Sequence, residues 1–149
     1  MSVAVVLVSA GKGTRLGQAV PKAAVSVAGK TMLEISLIHI SEFDPDQVVV
    51  VAPAGLVAEF ERLTSKLFSE FTVVAGGETR QQSVAAGMAK VTTDFVLVHD
   101  AARAFTPKEV FDRVNEGLAL ADCVVPAINL ADTVKQVSEN WVEKTIDRK

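Results

Sequence analysis

Along most of the chain, short unbroken apolar runs alternate with longer segments in which apolar positions recur every three or four residues. The runs are Val3–Val8, Val48–Ala52, Phe71–Ala75, Phe95–His99 and Cys123–Ile128. They are rich in Val, Ile and Phe, and continuous apolar stretches of this length predict strands buried on both faces. The periodic segments Met32–Ile40, Leu56–Phe68, Gln81–Val91 and Pro107–Leu120 predict helices. Thr31 stands where it can cap the first of them, and Thr106 where it can cap the last, with Pro107 in the opening turn. Such alternation is the signature of right-handed βαβ units around a mainly parallel sheet flanked by helices, an α/β fold whose ligands lie where loops leave the carboxyl ends of the strands. The final stretch departs from the pattern. Thr133–Val137 and Trp141–Ile146, divided by Ser138-Glu139-Asn140, predict a short antiparallel arm added to the sheet. No repeat, low-complexity segment or Pro/Gly-rich linker divides the chain, so residues 1–149 are expected to form a single domain.

Composition narrows the possibilities. The 149 residues are 49% hydrophobic and 22% charged, as in an ordinary globular domain. A chain of this length buries roughly 70% of its unfolded surface and needs neither disulfide nor structural metal. Cys123 is the only cysteine, which excludes an intrachain disulfide and a cysteine metal cluster and suits a reducing cytoplasm. A net charge of −3 argues against a general nucleic-acid partner, so a phosphate ligand would be held by a few local cations. Val3–Val8 lacks the basic leader and the length of a signal peptide, and no other run approaches a membrane span.

Directly after the first predicted strand comes Ser9-Ala10-Gly11-Lys12-Gly13-Thr14-Arg15-Leu16-Gly17, followed by Pro21-Lys22. Glycines after a strand let backbone N–H groups approach an anion, and Lys12, Arg15 and Lys22 add positive charge: the pattern of a triphosphate cradle. A dinucleotide fingerprint would need glycine where Leu16 stands. Ala24–Thr31 matches a permissive P-loop pattern, but it follows Pro21-Lys22-Ala23 instead of a strand, and Val25 and Val27 favour extended backbone. Ala28-Gly29-Lys30 reads better as a tight turn.

Other strand ends carry further chemistry. Gly76-Gly77-Glu78-Thr79-Arg80-Gln81-Gln82-Ser83 runs into a helix, and its glycines let a ligand lie against backbone. Arg80 and Ser83 share a face of the first helical turn, where they can read a base edge and hold a phosphate. The next strand ends in His99-Asp100-Ala101-Ala102-Arg103. A carboxylate there must be paired or bind metal, and Mg²⁺ bridging phosphates uses only one or two protein carboxylates, so Asp100 is either that metal ligand or the ion-pair partner of Arg103. His39 lies far back in sequence, so His99 is expected to be a structural, hydrogen-bonding residue.

Taken in order and at these intervals, the Arg15 loop, Pro21-Lys22, Gly76-Gly77 with Arg80 and Ser83, His99-Asp100-Ala101-Ala102-Arg103, Asp132-Thr133 and Asp147-Arg148 resemble the methylerythritol phosphate cytidylyltransferase family. The resemblance implies a Rossmann-like nucleotidyltransferase domain and a homodimer, with residues 132–149 opening a dimerisation arm. It also implies Mg²⁺-dependent transfer of a cytidylyl group from CTP to 2-C-methyl-D-erythritol 4-phosphate. The catalytic pair would be Arg15 and Lys22. Ser9, Ala10, Gly11, Gly13, Gly76, Arg80 and Ser83 would hold CTP, and Asp100 the metal. Asp100, Arg103, Thr133 and Arg148 would hold the sugar-alcohol phosphate, Arg148 reaching into the neighbouring subunit.

The sequence departs from the family pattern at Ser9, where alanine is usual, and at Ala104, where proline is usual. Neither change removes a charge. The family's length also leads to the expectation of an incomplete C-terminal part, which makes a CTP-binding module without catalysis one alternative. A ribitol 5-phosphate cytidylyltransferase is another; Ala101-Ala102 favour the methylerythritol reading.

Overall fold

The computed structural model describes residues 1–11 and 21–147. Its centre is β1 (Val3–Val8), in which every residue is buried. β1 is flanked by β4 (Gln47–Ala52) and β6 (Phe95–Asp100), and β5 (Thr72–Ala75) pairs outside β4, giving the order β5-β4-β1-β6. All three pairings are parallel, with Val5 opposite Val48 on one side and Leu97 on the other. A strand enclosed by neighbours and covered on both faces needs no polar alternation, which is why β1 and β4 read as continuous valine-rich runs.

One face packs against α1 (Met32–Phe43), α2 (Val57–Thr64) and α4 (Lys108–Gly117), around Val5, Leu7, Val50, Leu33, Leu37, Ile40, Phe60 and Phe111. The other is covered by α3 (Arg80–Met88), over Val6, Val8, Val49 and Val51. α3 approaches so closely that a Cβ on Gly87 would lie 2.6 Å from Val6 Cγ1 and 2.8 Å from Val51 Cγ2. The successor of β1 lies to one side of it and β6 to the other, so the loops after these strands diverge and leave a crevice at their carboxyl ends.

Local chemistry sets the element boundaries. Thr31 caps α1 in a reciprocal box: its hydroxyl accepts from Glu34 N, while Glu34 accepts from the Thr31 backbone N–H. Asp44, with φ 57°, ends that helix. Before it, β2 (Ser26–Val27) and β3 (Lys30–Thr31) form a small hairpin through Ala28 and Gly29, with φ of 50° and 83°, so this segment is a tight turn and not a P-loop. Thr106 does not cap α4: Pro107 occupies the N-cap position and the Thr106 hydroxyl donates to Arg103 O at 2.9 Å.

Further differences concern the end of the chain. Cys123–Ile128 is not a strand; Val125 and Ile128 are 76% and 93% exposed. Pro126 interrupts the run and removes a ladder donor, which keeps it from the sheet interior that its apolar composition suggests. The expected arm exists as β7 (Lys135–Ser138) and β8 (Trp141–Thr145), turning through Glu139 and Asn140 at φ 47° and 73°. It forms its own two-stranded sheet and is not added to the main one. Among the described residues no helix is long and apolar enough to cross a membrane.

Candidate functional site

The crevice is built from the residues that follow β1, β5 and β6. Ser9 is buried, and both its backbone N–H and its hydroxyl donate to Val51 O, at 3.0 and 2.8 Å, tying the start of the first loop to the end of β4. Beyond it Ala10 packs against the second core, and Gly11 is exposed. Gly76 fills the gap behind them. A Cβ there would lie 2.4 Å from Ala10 Cβ and 2.8 Å from Ser83 Oγ, so only glycine lets the β5 loop lie against the β1 loop.

Thr79 and Gln82 form a second capping box, which opens α3 and aims its N-terminus at the same crevice. Ser83 is buried: its hydroxyl accepts from Gly77 N at 3.2 Å and donates to Thr79 O at 3.0 Å, which pins the glycine pair to the helix. Arg80 is the first residue of α3 and projects outward. Its Nε donates to Asp100 Oδ1 at 3.1 Å, while Arg103 Nε lies 3.9 Å from Oδ2. The ion-pair reading of Asp100 is thereby refined: its close partner is Arg80, twenty residues away, and Arg103 stands beyond hydrogen-bond distance.

The turn Ala101–Arg103 is fixed from beneath. The Ser36 hydroxyl on α1 shares its one proton between Met32 O at 2.9 Å and Ala101 O at 3.2 Å. The helical turn Lys22–Ala24 packs against the Ala101–Arg103 turn. His99 lies edge-on to Phe111, ring centres 5.0 Å apart. Burial holds its imidazole below the ordinary histidine value, against the opposing pull of Asp100 and of the Arg103 backbone.

Arg80, Ser83, Asp100 and Arg103 are therefore gathered around one crevice with Ala10 and Gly76, and Lys22 lies on the neighbouring turn packed against Ala101–Arg103. Thr133 is exposed at the base of the β7–β8 hairpin and makes no hydrogen bond with any of them among the described residues. Gly13, Arg15 and Arg148 lie outside the described residues. The supporting parts that the sequence reading missed are Gln82 and Ser36. The Thr79-x-x-Gln82 spacing is a legible capping signal; nothing local announces that Ser36 reaches Ala101.

A parallel sheet with β1 in its interior, and with arginines, glycine backbone and one carboxylate at its carboxyl edge, is a Rossmann-like α/β arrangement of the kind found in nucleotidyltransferases. The family model of 2-C-methyl-D-erythritol 4-phosphate cytidylyltransferase (IspD) matches residues 3–149. The enzyme of that name from Saccharopolyspora erythraea is 44% identical, over 99% of this chain and 70% of the relative. The crystal structure of 2-C-methyl-D-erythritol 4-phosphate cytidylyltransferase from Thermus thermophilus is similar with a TM-score of 0.73 and 29% identity, covering 99% of this chain and 64% of that one. The 4-diphosphocytidyl-2C-methyl-D-erythritol synthase of Anaerococcus prevotii, at 24% identity, shares the fold with a TM-score of 0.86, over 99% of this chain and 65% of that chain. The chain belongs to the 2-C-methyl-D-erythritol 4-phosphate cytidylyltransferase family and spans about two thirds of the length of these relatives.

Proposed function

We propose that this chain carries the nucleotide-binding and catalytic part of an enzyme that transfers the cytidylyl group of CTP to 2-C-methyl-D-erythritol 4-phosphate, in non-mevalonate isoprenoid precursor synthesis. The observation that carries the reading is the meeting of Arg80, Asp100 and Arg103 at the mouth of a crevice whose wall is bare backbone at Gly76. Family membership supports this choice of substrates. In the reaction a phosphate oxygen of the acceptor forms a bond to the α-phosphorus of CTP, the bond from that phosphorus to the bridging oxygen breaks, and pyrophosphate leaves. The attacking oxygen already carries negative charge, so no general base is needed.

Arg15 and Lys22 would stabilise charge on the phosphoryl oxygens, the main requirement of such a transfer. Ser9, Ala10, Gly11, Gly13, Gly76, Arg80 and Ser83 would shape and hold the CTP site, with Ser9 and Ser83 acting through the loops their hydroxyls tie down. Arg103, Thr133 and Arg148 would receive the acceptor phosphate. Mg²⁺ would enter with the CTP phosphates, which would supply most of its ligands: Asp100, 29% accessible, is a lone carboxylate whose oxygens already face Arg80 and Arg103, and it does not make a metal site of its own. When bound it would neutralise phosphate charge. A cytoplasmic homodimer, assembled through the β7–β8 arm, completes the reading.

The test is to incubate purified protein with CTP, Mg²⁺ and either methylerythritol phosphate or ribitol 5-phosphate, and follow pyrophosphate release. Release with the first acceptor alone is expected. Release only with ribitol 5-phosphate would reassign the acceptor, and CTP binding without release would leave a binding module.

A further inference from the structure

We propose that Ser36 is a positioning residue for Arg103: from a core position on α1 its hydroxyl holds the Ala101–Arg103 turn, and so sets where the Arg103 guanidinium stands at the crevice mouth. The inference rests on the reading of Arg103 as a ligand of the acceptor phosphate.

The buried face of α1 is made of Leu33, Ser36, Leu37 and Ile40, the spacing of a helix stripe laid against a core. Ser36 therefore stands where that stripe calls for an apolar side chain. Serine is a poorer helix former than alanine, and its hydroxyl could satisfy itself wholly on Met32 O, a common resort of serine inside a helix. Instead the proton is shared with Ala101 O, sixty-five residues away. What gains from the second contact is the turn.

Asp100 is the last residue of β6 and is held in register opposite Val8, whereas Ala101–Arg103 lie past the end of that ladder. The backbone N–H and the hydroxyl of Thr106 both donate to Arg103 O, but they tie the turn only to the chain that follows it. Arg103 itself is 75% exposed, with Nε beyond hydrogen-bond distance of the Asp100 carboxylate, so the place of its guanidinium depends on the backbone that carries it. An acceptor phosphate that meets a turn already held loses less affinity to ordering it.

Steady-state pyrophosphate release by the full chain, from CTP and methylerythritol phosphate with Mg²⁺, tests this in Ser36→Ala, Arg103→Gln and the double variant. Ser36→Ala is expected to raise KM for the acceptor roughly two- to fivefold, the worth of one neutral hydrogen bond, with kcat and the KM for CTP unchanged. In the Arg103→Gln background the same change should have no further effect. An unchanged acceptor KM, a fall in kcat, an equal rise in the KM for CTP or an undiminished effect without Arg103 would overturn the inference. Amide exchange at Thr106, whose N–H is bonded to Arg103 O, is a second measure that needs no turnover. Faster exchange there in Ser36→Ala, with α1 protected as in the parent, is expected, and exchange like the parent's would overturn the hold on the turn. No release by the parent, beside faster exchange in the variant, would instead overturn the cytidylyl-transfer reading and leave Ser36 holding the turn.

Discussion

At the scale of single residues, preorganised charge is the central property of the crevice. Lys22→Ala and Arg15→Ala are each expected to lower turnover by more than about a hundredfold, the usual loss when one fixed contact to a developing charge is removed. Steady-state pyrophosphate release measures this, and near-normal turnover with an intact circular dichroism spectrum would remove the residue from the mechanism. Asp100→Asn should weaken CTP binding in the presence of Mg²⁺ more than in its absence, by calorimetry; equal losses would make Asp100 a structural partner of the arginines alone. The types of residue at this site were legible in the sequence, because acids, cations and glycines at strand ends have few structural uses. Their pairing was not. Arg103 is three positions from Asp100 and invites pairing by proximity, whereas Arg80 reaches it because α3 crosses from β5 toward β6. Such a crossing belongs to the fold and leaves no local trace.

Among the elements, α1 and α3 translate sequence into site position most directly. Donation from the Thr31 backbone N–H holds the Glu34 carboxyl below its ordinary value of 4.5, against the opposing effect of burial and with help from the Thr31 hydroxyl and Lys66. A depressed folded-state value means that this stabilisation is complete above the ordinary value and is lost as pH falls through the folded one. Thr31→Ala should cost about 1 kcal/mol at neutral pH. Chemical denaturation of Glu34→Gln between neutral and acidic pH should show a shallower decline than the parent, and an identical decline would dismiss the cap as its source. Gly87→Ala is expected to destabilise by about 1–3 kcal/mol through overpacking, which outweighs the helix-propensity gain of about 1 kcal/mol for losing a glycine. A stabilised variant would mean that α3 can lift from Val6 and Val51 without penalty. The strands of the main sheet were readable because burial on both faces leaves an unbroken apolar run. Cys123–Ile128 has a similar composition, and the decisive residue is Pro126, whose missing donor counts against a strand more than the flanking valines count for one.

Across the whole molecule, apolar exposure collects toward the end of the described chain. Trp141 is 79% exposed, with Val137 and Val142 across the same hairpin at 56% and 60%. A lone two-stranded hairpin is marginal in water, so this one gains from being covered. If the proposed homodimer uses it, raising the protein concentration should increase the sedimentation coefficient and shift the emission of the only tryptophan to shorter wavelength. Trp141→Ser should weaken the association. A coefficient that is flat with concentration would dismiss the hairpin as a contact. The central position of β1 bears on the birth of the protein as well. Its first residue, Val3, pairs in register with Phe95, yet it leaves the ribosome long before that partner exists. At ordinary translation speeds the interval is roughly 5 to 20 s. Throughout it, the nascent chain carries an apolar segment with one side of its ladder open, a natural substrate for chaperones that guard emerging polypeptides.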